Sequence, residues 1–449
     1  MKTEENCIRG CANVNLINRG INKLEEISND ALFISDLLPQ LPGYAFELSP
    51  FTSNGSTQNL AFLYKTSVVT KIATRGINVG GIAAGDVTDA NFPTGNKDQH
   101  WASGRFPYMM TTDVNVNGSK ERVNFVVIHA KAFNDNTAFQ RREFDATALH
   151  DSLSLYMPNE KIIIMGDYND DVDVSISIPD PSPYNVFVND GANYRVLTQT
   201  LSAQGFRSTV GFDNMIDHIT MTNEMFNSHV VGSENVHYEF FSNDPTYDNT
   251  TSDHHPVSAR FAFPEISINT GTAIVIANNG NLDIGTTPQG TNSTQLITIN
   301  NDGAASMLVS SVAIASTSFT FSNALAPNTT ILAGQSADFE IEMNAGSVGI
   351  KSATITIVSN DGDEGTYTIN VQGEVQAVAT GGTGGGGGSP TVDNTINPPT
   401  NLTGVTVSTS QVNLTWEDNS GNESGFYVYQ NGTLIATLGA NTTSFEVVG

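Results

Sequence analysis

Cysteine is nearly absent: the chain holds two, Cys7 and Cys11. They lie close together with no histidine at zinc-finger spacing, which excludes a disulfide-dense scaffold and leaves one disulfide or two free thiols. Basic side chains are scarce as well, 19 against 46 acidic ones, for a formal charge of −27. A protein that grips duplex DNA by counterion release carries a basic face. Any nucleic-acid binding therefore has to be local or helped by metal ions. From residue 264 onward Lys351 is the single basic residue, and no histidine follows His255, so chemistry that titrates near neutral pH is confined to the first part of the chain. There is no apolar run long enough to span a membrane as a helix. The start, Met1 to Asn6, is polar where a signal peptide would have an apolar core, and the expectation is that the chain begins inside a longer one.

What is present divides by texture. At 449 residues the chain exceeds one compact core and predicts two to four domains. Up to residue 263, short apolar runs (Leu60–Tyr64, Val123–His129, Lys161–Met165, Met215–Met221, Pro256–Phe263) alternate with helical stretches. Phe139 to Tyr156 reads as an amphipathic helix, with Phe144, Ala148 and Leu149 on one face and Arg141, Arg142 and Asp145 around them. That mixture predicts an α/β (α+β) layered domain with buried sheets. Residues 264–376 switch to strand alternation, seen in Ser352–Val358 and Thr366–Val371 around an Asn-Asp-Gly turn, and predict an all-β immunoglobulin-like sandwich. Residues 377–397 form a glycine-rich linker. Residues 398–449 show a further small β unit, expected to be cut short at Gly449.

Three clusters carry polar chemistry. Ile162 to Met165 is an apolar strand that ends in Gly166-Asp167-Tyr168-Asn169, delivering a carboxylate and an amide to one side of a strand end. Ser252-Asp253-His254 places a hard oxygen ligand beside an imidazole. His129 closes the apolar strand Val123–His129. Each alone reads as readily as an ordinary turn, a solvated loop or a core histidine. Their order, with Ile216-Asp217-His218 between the last two strands, is what raises them together.

This succession resembles the endonuclease/exonuclease/phosphatase superfamily, which includes deoxyribonuclease I, over about residues 20–263. Asn59 to Tyr64 looks like the strand bearing the family's tyrosine, Gly104-Arg105-Phe106-Pro107 like its Arg-x-Pro segment, and Leu24-Glu25-Glu26 like its Leu-Gln-Glu strand end. The competing reading makes Ile21 to Leu38 one helix with Glu26 on its solvent face. Two features depart from the family. Its first strand, carrying an Asn, has only Asn13 and Asn15 as counterparts, so that strand is expected upstream of Met1. The carboxylate that supports the histidine in deoxyribonuclease I is replaced by Thr66.

The resemblance implies a four-layer β-sandwich flanked by helices and a metal-dependent phosphodiesterase. Glu26, with Glu25 in reserve, and Asp253 would hold Mg²⁺ or Mn²⁺, with Ca²⁺ as an alternative. Asp167, Asn169, His129, Asp217 and His254 would be catalytic, and Tyr64 and Arg105 would contact the phosphate. His218 and His255 fall on no motif position. The expected substrate is nucleic acid, cleaved with low sequence specificity by a secreted or cell-surface monomer. The alternatives are a sphingomyelinase-type phosphodiesterase or phosphatase of the same superfamily, or an inactive adhesive fragment. Tyr238-Glu239-Phe240-Phe241, the one segment resembling an aromatic membrane-docking hairpin, is assigned to the core. The later modules resemble bacterial choice-of-anchor/Hydin-type repeats and the start of a fibronectin type III domain, which implies cell-surface or polymer tethering. Asp361, Asp363 and Glu364 read as an ordinary acidic turn in preference to a calcium site.

Overall fold

In the computed structural model of the chain the described residues are 21–27, 31, 33–52, 58–77, 86–116, 118–177, 179–244, 246–250, 252–271, 274–378, 396–408, 411–421, 423–430 and 433–448. The chain divides into two compact units, Met1–Val378 and Ala379–Gly449.

The first unit opens with a three-stranded antiparallel sheet, β1 (Ile21–Ile27), β2 (Tyr44–Leu48) and β3 (Asn59–Lys65), in the order β1-β3-β2. A six-stranded sheet follows: β4 (Val69–Gly76), β5 (Tyr108–Val116), β6 (Ser119–His129), β7 (Ile162–Asp167), β8 (Tyr194–Val196) and β9 (Asp217–Thr222), ordered β4-β5-β6-β7-β9-β8. The β6–β7 pair is parallel, and the long helix α1 (Asn136–Tyr156) supplies the crossover it requires. Asp135 caps α1 by accepting from the backbone N–H groups of Thr137 and Ala138, both at 3.0 Å.

Strand alternation builds the layers. In β7, Ile162 and Ile164 face α1 with Leu149 and Leu153, while Ile163 and Met165 face the smaller sheet. In β3, Leu60, Phe62 and Tyr64 point at the six-stranded sheet, and Ala61 and Leu63 point outward, where Leu38 and Leu41 cover them. Both faces of each central strand are thus buried, which is why these runs read as continuously apolar. The segment from Ile21 is a strand; the helical alternative for Ile21 to Leu38 is not formed.

Three local expectations change. Of Pro256–Phe263, only β11 (Val257–Ser258), paired with β10 (Asn235–Val236), is strand, with a single further bridge from Phe261 to His229. Arg142 and Asp145, read from the sequence as the polar surround of α1, are fully buried. Tyr238 to Phe241 is neither hairpin nor deep core: Glu239–Asn243 is a short helix, with Phe240 and Phe241 half-buried.

The rest of the first unit is a sandwich of two five-stranded sheets. One is β13 (Val275–Ile276), β12 (Ile266–Thr270), β15 (Ser293–Asn301), β19 (Ser336–Met343) and β17 (Phe319–Asn323). The other is β14 (Gly280–Pro288), β21 (Thr366–Gln376), β20 (Gly349–Ser359), β16 (Met307–Ala315) and β18 (Thr329–Ile331). Strands β20 and β21 form the expected hairpin, with Val358 opposite Thr366. The second unit holds a three-stranded sheet, β22 (Thr400–Ser408), β23 (Gln411–Glu417) and β26 (Ser444–Val448), and a hairpin of β24 (Gly425–Gln430) and β25 (Thr433–Gly439). Among the described residues no helix is long and apolar enough to cross a membrane.

Candidate active site

Strands β6 and β7 are parallel, so both deliver their C-terminal residues to the same rim of the sheet. The register sets His129 beside Asp167 and Asp167 beside Asp217, the first residue of antiparallel β9. Gly166 permits this: a Cβ there would overlap the Ile128 carbonyl of the neighbouring strand. His129 Nε2 lies 3.4 Å from Asp167 Oδ2. Asn169, in the left-handed region at φ 49, folds back so that its N–H and its side-chain amide each donate to the Asp167 carboxylate at 2.7 Å. The amide also reaches the Ala130 carbonyl at 3.1 Å.

His254 arrives from the loop before β11. Its Nδ1 lies 2.6 Å from Asp217 Oδ2. The loop is held by main-chain bonds from Val210 N to the Asp253 carbonyl, at 2.9 Å, and from His255 N to the Ser208 carbonyl, at 2.7 Å. The Ser208 hydroxyl in turn accepts from the N–H groups of Ile216 and Asp217, both at 2.9 Å. Ser208 therefore ties His254 and Asp217 to one turn, a role with no sequence signal because it rests on main-chain geometry.

The charges set the protonation states. Burial alone would lower the His254 pKa, but the charge and hydrogen bond of Asp217, with Asp167 and Asp253 close by, push it up to about 10. Burial would raise Asp217, yet His254 and Lys23 hold it below the usual carboxylate range. Asp167 is pushed up to about 7, by burial first; His254 opposes this, and the nearby charges of Asp217 and Glu25 add to it. His129 is kept neutral by burial and then by the neighbouring charges of Arg105 and His254.

Two residues from β1 join the rim. Lys23 Nζ lies 2.8 Å from Glu25 Oε1 and 3.0 Å from Asp217 Oδ1, and Glu25 Oε1 accepts from Asp167 N at 3.1 Å. Lys23 belongs to no motif, and only its strand register beside Asp217 reveals it. Glu26 lies in β1, and its side chain is outside the described residues, as are Asn13 and Asn15. Asp253 is exposed on the loop beside His254.

Arg105 is buried and donates to Gln58 Oε1 at 2.9 Å. The turn ahead of it carries three non-glycine residues at positive φ, Trp101, Ala102 and Ser103. A fully buried pair, His100 Nδ1 to Asp145 Oδ1 at 2.7 Å, anchors that turn, with Asp145 Oδ2 accepting from Trp101 N at 2.8 Å. Arg142 is the second anchor. It pairs with Asp170 at 2.7 Å and donates to the carbonyls of Lys131 and Phe133, both at 2.7 Å. One guanidinium thereby joins the loops after β6 and β7.

Tyr64 is not brought to the rim. It pairs with Ile21, four residues along β1 from Glu25 and so roughly 13 Å from it at ~3.3 Å per residue, and it is buried with Phe62 and Tyr108 near the charges of Lys71 and Glu47. Thr66, likewise remote, donates to the Gly43 carbonyl at 3.0 Å. His218 is buried between Thr198 Oγ1 and the Met215 carbonyl, both at 2.8 Å.

Asp167, Asn169 and Glu25 bring carboxylate and amide oxygens to the rim, and the charge of exposed Asp253 lies close to His254, a set suited to a hard dication. The charges of Asp217 and Glu25, which add to the effect of burial on Asp167, are a repulsion that such an ion would relieve. A cavity of about 420 Å³ lined by Ile21, Val68, Phe125, Met165, Val257 and Phe261 runs behind Lys23 and Asp217. Its walls are mostly apolar.

Residues 273–374 match the HYDIN/CFA65/VesB-like, Ig-like domain family. No curated protein matches the chain. Similar solved structures include the human Nocturnin catalytic domain with bound sulfate anion, at 15% identity and TM-score 0.38, covering 54% of this chain and 80% of that one. The endonuclease/exonuclease/phosphatase from Bacteroides vulgatus is similar at 14% identity and TM-score 0.37, over 54% and 84% of the two chains. A mannosyl-6-phosphatase from Bacteroides thetaiotaomicron is similar at 15% identity and TM-score 0.33, over 54% and 85%.

Proposed function

We propose that residues 1–263 hydrolyse a phosphodiester bond with the help of a divalent metal, as a nuclease of low sequence specificity. The observation that carries the reading is the 2.6 Å contact of His254 with Asp217, set at the same strand ends as Asp167 and His129. Glu26 and Asp253 would hold Mg²⁺ or Mn²⁺, which when bound supplies positive charge to a phosphate oxygen. Asp167, oriented by Asn169, takes the proton of the attacking water as the water oxygen bonds to phosphorus. His254, kept cationic by Asp217, gives its proton to the departing ester oxygen as the P–O bond breaks. Arg105 and neutral His129 donate to the oxygens on which negative charge builds. Arg105 and His254 are the local cations that make up for the missing basic face. The later β modules tether the secreted enzyme to a surface or polymer.

The test is turnover of DNA, RNA, bis-p-nitrophenyl phosphate, sphingomyelin and a phosphomonoester, with Mg²⁺ or Mn²⁺ and with excess EDTA. Metal-dependent cleavage of DNA or RNA, lost in both Asp167→Asn and His254→Ala, is the expected result. Cleavage confined to sphingomyelin or to the monoester removes the nuclease reading and keeps the hydrolase. Full turnover in both variants removes the site. No turnover on any substrate leaves the adhesive reading in its place.

A further inference from the structure

A second acidic cluster lies away from the rim, where β6 meets the immunoglobulin-like sandwich. Glu265, just ahead of β12, and Asp361, Asp363 and Glu364, in the turn between β20 and β21, each offer an oxygen, and these oxygens lie within 4.8 Å of one another. Two oxygens on opposite sides of a calcium ion are separated by about 4.8 Å, twice the ~2.4 Å calcium–oxygen distance. The turn is preset: Asp361 Oδ1 accepts from Asp363 N and Glu364 N at 3.2 and 3.0 Å, and its Oδ2 accepts from Ile266 N at 2.8 Å.

An acidic turn alone would be unremarkable, but Glu121 is an independent sign. It comes from β6, across the joint, and is 1% exposed. Its Oε2 pairs with Lys161 Nζ, while its buried Oε1 has no hydrogen-bond partner. Its carboxylate packs directly on Gly362, between Asp361 and Asp363, where any Cβ would overlap it. Glu265 Oε2 is likewise buried without a partner. A buried carboxylate oxygen left unsatisfied is costly. The charges of Asp361 and Asp363 act on the Glu121 carboxylate, and Lys161 offsets them.

We propose that Glu265, Asp361, Asp363 and Glu364, with Glu121 beneath them, bind a calcium ion that fastens the layered domain to the immunoglobulin-like sandwich. The donors are all oxygens, with neither imidazole nor thiolate, which selects a hard cation. With Glu121 they come from three separate segments, a spread that fits the loose coordination of Ca²⁺ better than the tight octahedron of Mg²⁺. The site is independent of the rim and stands whether or not the rim hydrolyses phosphate esters.

The experiment is calcium titration of the metal-free full chain by calorimetry and by thermal melting, alongside Glu265→Gln/Asp363→Asn, Asp167→Asn and a parallel Mg²⁺ titration. Ca²⁺ in large excess is expected to raise the melting temperature by roughly 5 °C. The binding isotherm and the shift should disappear in the double variant, survive in Asp167→Asn and be weaker with Mg²⁺. Without calcium the double variant should melt at or above the wild type, since two repelling charges are gone. If it fails to fold, Glu364→Gln, expected to weaken calcium binding at least tenfold, takes its place. An unchanged calcium response in the variant, or a response lost only in Asp167→Asn, overturns the site and leaves an ordinary acidic turn. An equal response to Mg²⁺ overturns the assignment to calcium.

Discussion

His254 and Asp217 lie 37 positions apart and meet at 2.6 Å, so the imidazolium exists because a buried carboxylate holds it. Asp217→Asn removes that charge while keeping a similar shape. We expect kcat to fall roughly 10²–10⁴-fold, with an imidazole NMR titration showing His254 losing its proton well below its wild-type pKa. An unmoved titration would mean that Asp217 does not set the state of His254. His218 behaves in the opposite sense. Burial lowers its pKa from 6.5 to about 4, so the folded form holds it neutral while the unfolded chain protonates it. The resulting stability is complete above pH 6.5 and is lost as pH falls toward 4, by roughly 3 kcal/mol for a shift of this size. Urea unfolding of wild type and His218→Gln at pH 7 and pH 4.5 checks this: the wild type should lose more stability than the variant.

At the scale of elements, the rim depends on how two loops are tied to α1. Arg142 is fully buried with Asp170 and spans the loops that follow β6 and β7. Removing one partner of such a pair strands a buried charge. Arg142→Ala should therefore cost about 3–5 kcal/mol in chemical denaturation and reduce kcat more than it changes KM, because Asp167 and His129 lose their common support. A loss of stability with unchanged kcat would show that the loops hold their shape without it. Leu153, buried between α1 and the six-stranded sheet, is the contrasting case: Leu153→Ala should cost about 2–5 kcal/mol and leave kcat of the folded fraction unchanged.

Across the whole molecule, the first unit is continuous through its joint. The Phe263 side chain is in the core between the layered domain's sheets, and its carbonyl accepts from Ala304 N and Ala305 N at 2.9 and 3.2 Å. Ser119 on β6 donates to the Pro264 carbonyl at 2.7 Å. A protein ending at residue 263 should therefore melt at a lower temperature than one ending at 378, whereas removal of Ala379–Gly449, a separate compact unit, should alter neither the melting temperature of the first unit nor its hydrolysis. Differential scanning calorimetry of the three lengths distinguishes these outcomes.

Periodicity and order along the chain were enough to read the strands β3, β6, β7 and β9, the helix α1 and the β20–β21 hairpin, because a strand buried on both faces is apolar throughout and a turn has its own chemistry. They also singled out His129, Asp167, Asn169, Asp217 and His254, and the family resemblance added Arg105; the fold draws these residues toward one rim. Only the tertiary structure decided that Tyr64 faces away from it, that Lys23 and Glu25 face toward it, that Arg142 and Asp145 are interior, and that Glu121 meets a turn of the second sandwich. The reason is physical. Local sequence sets which way a side chain leaves its own strand or helix, but which charges become neighbours depends on strand register and layer packing between segments up to two hundred residues apart.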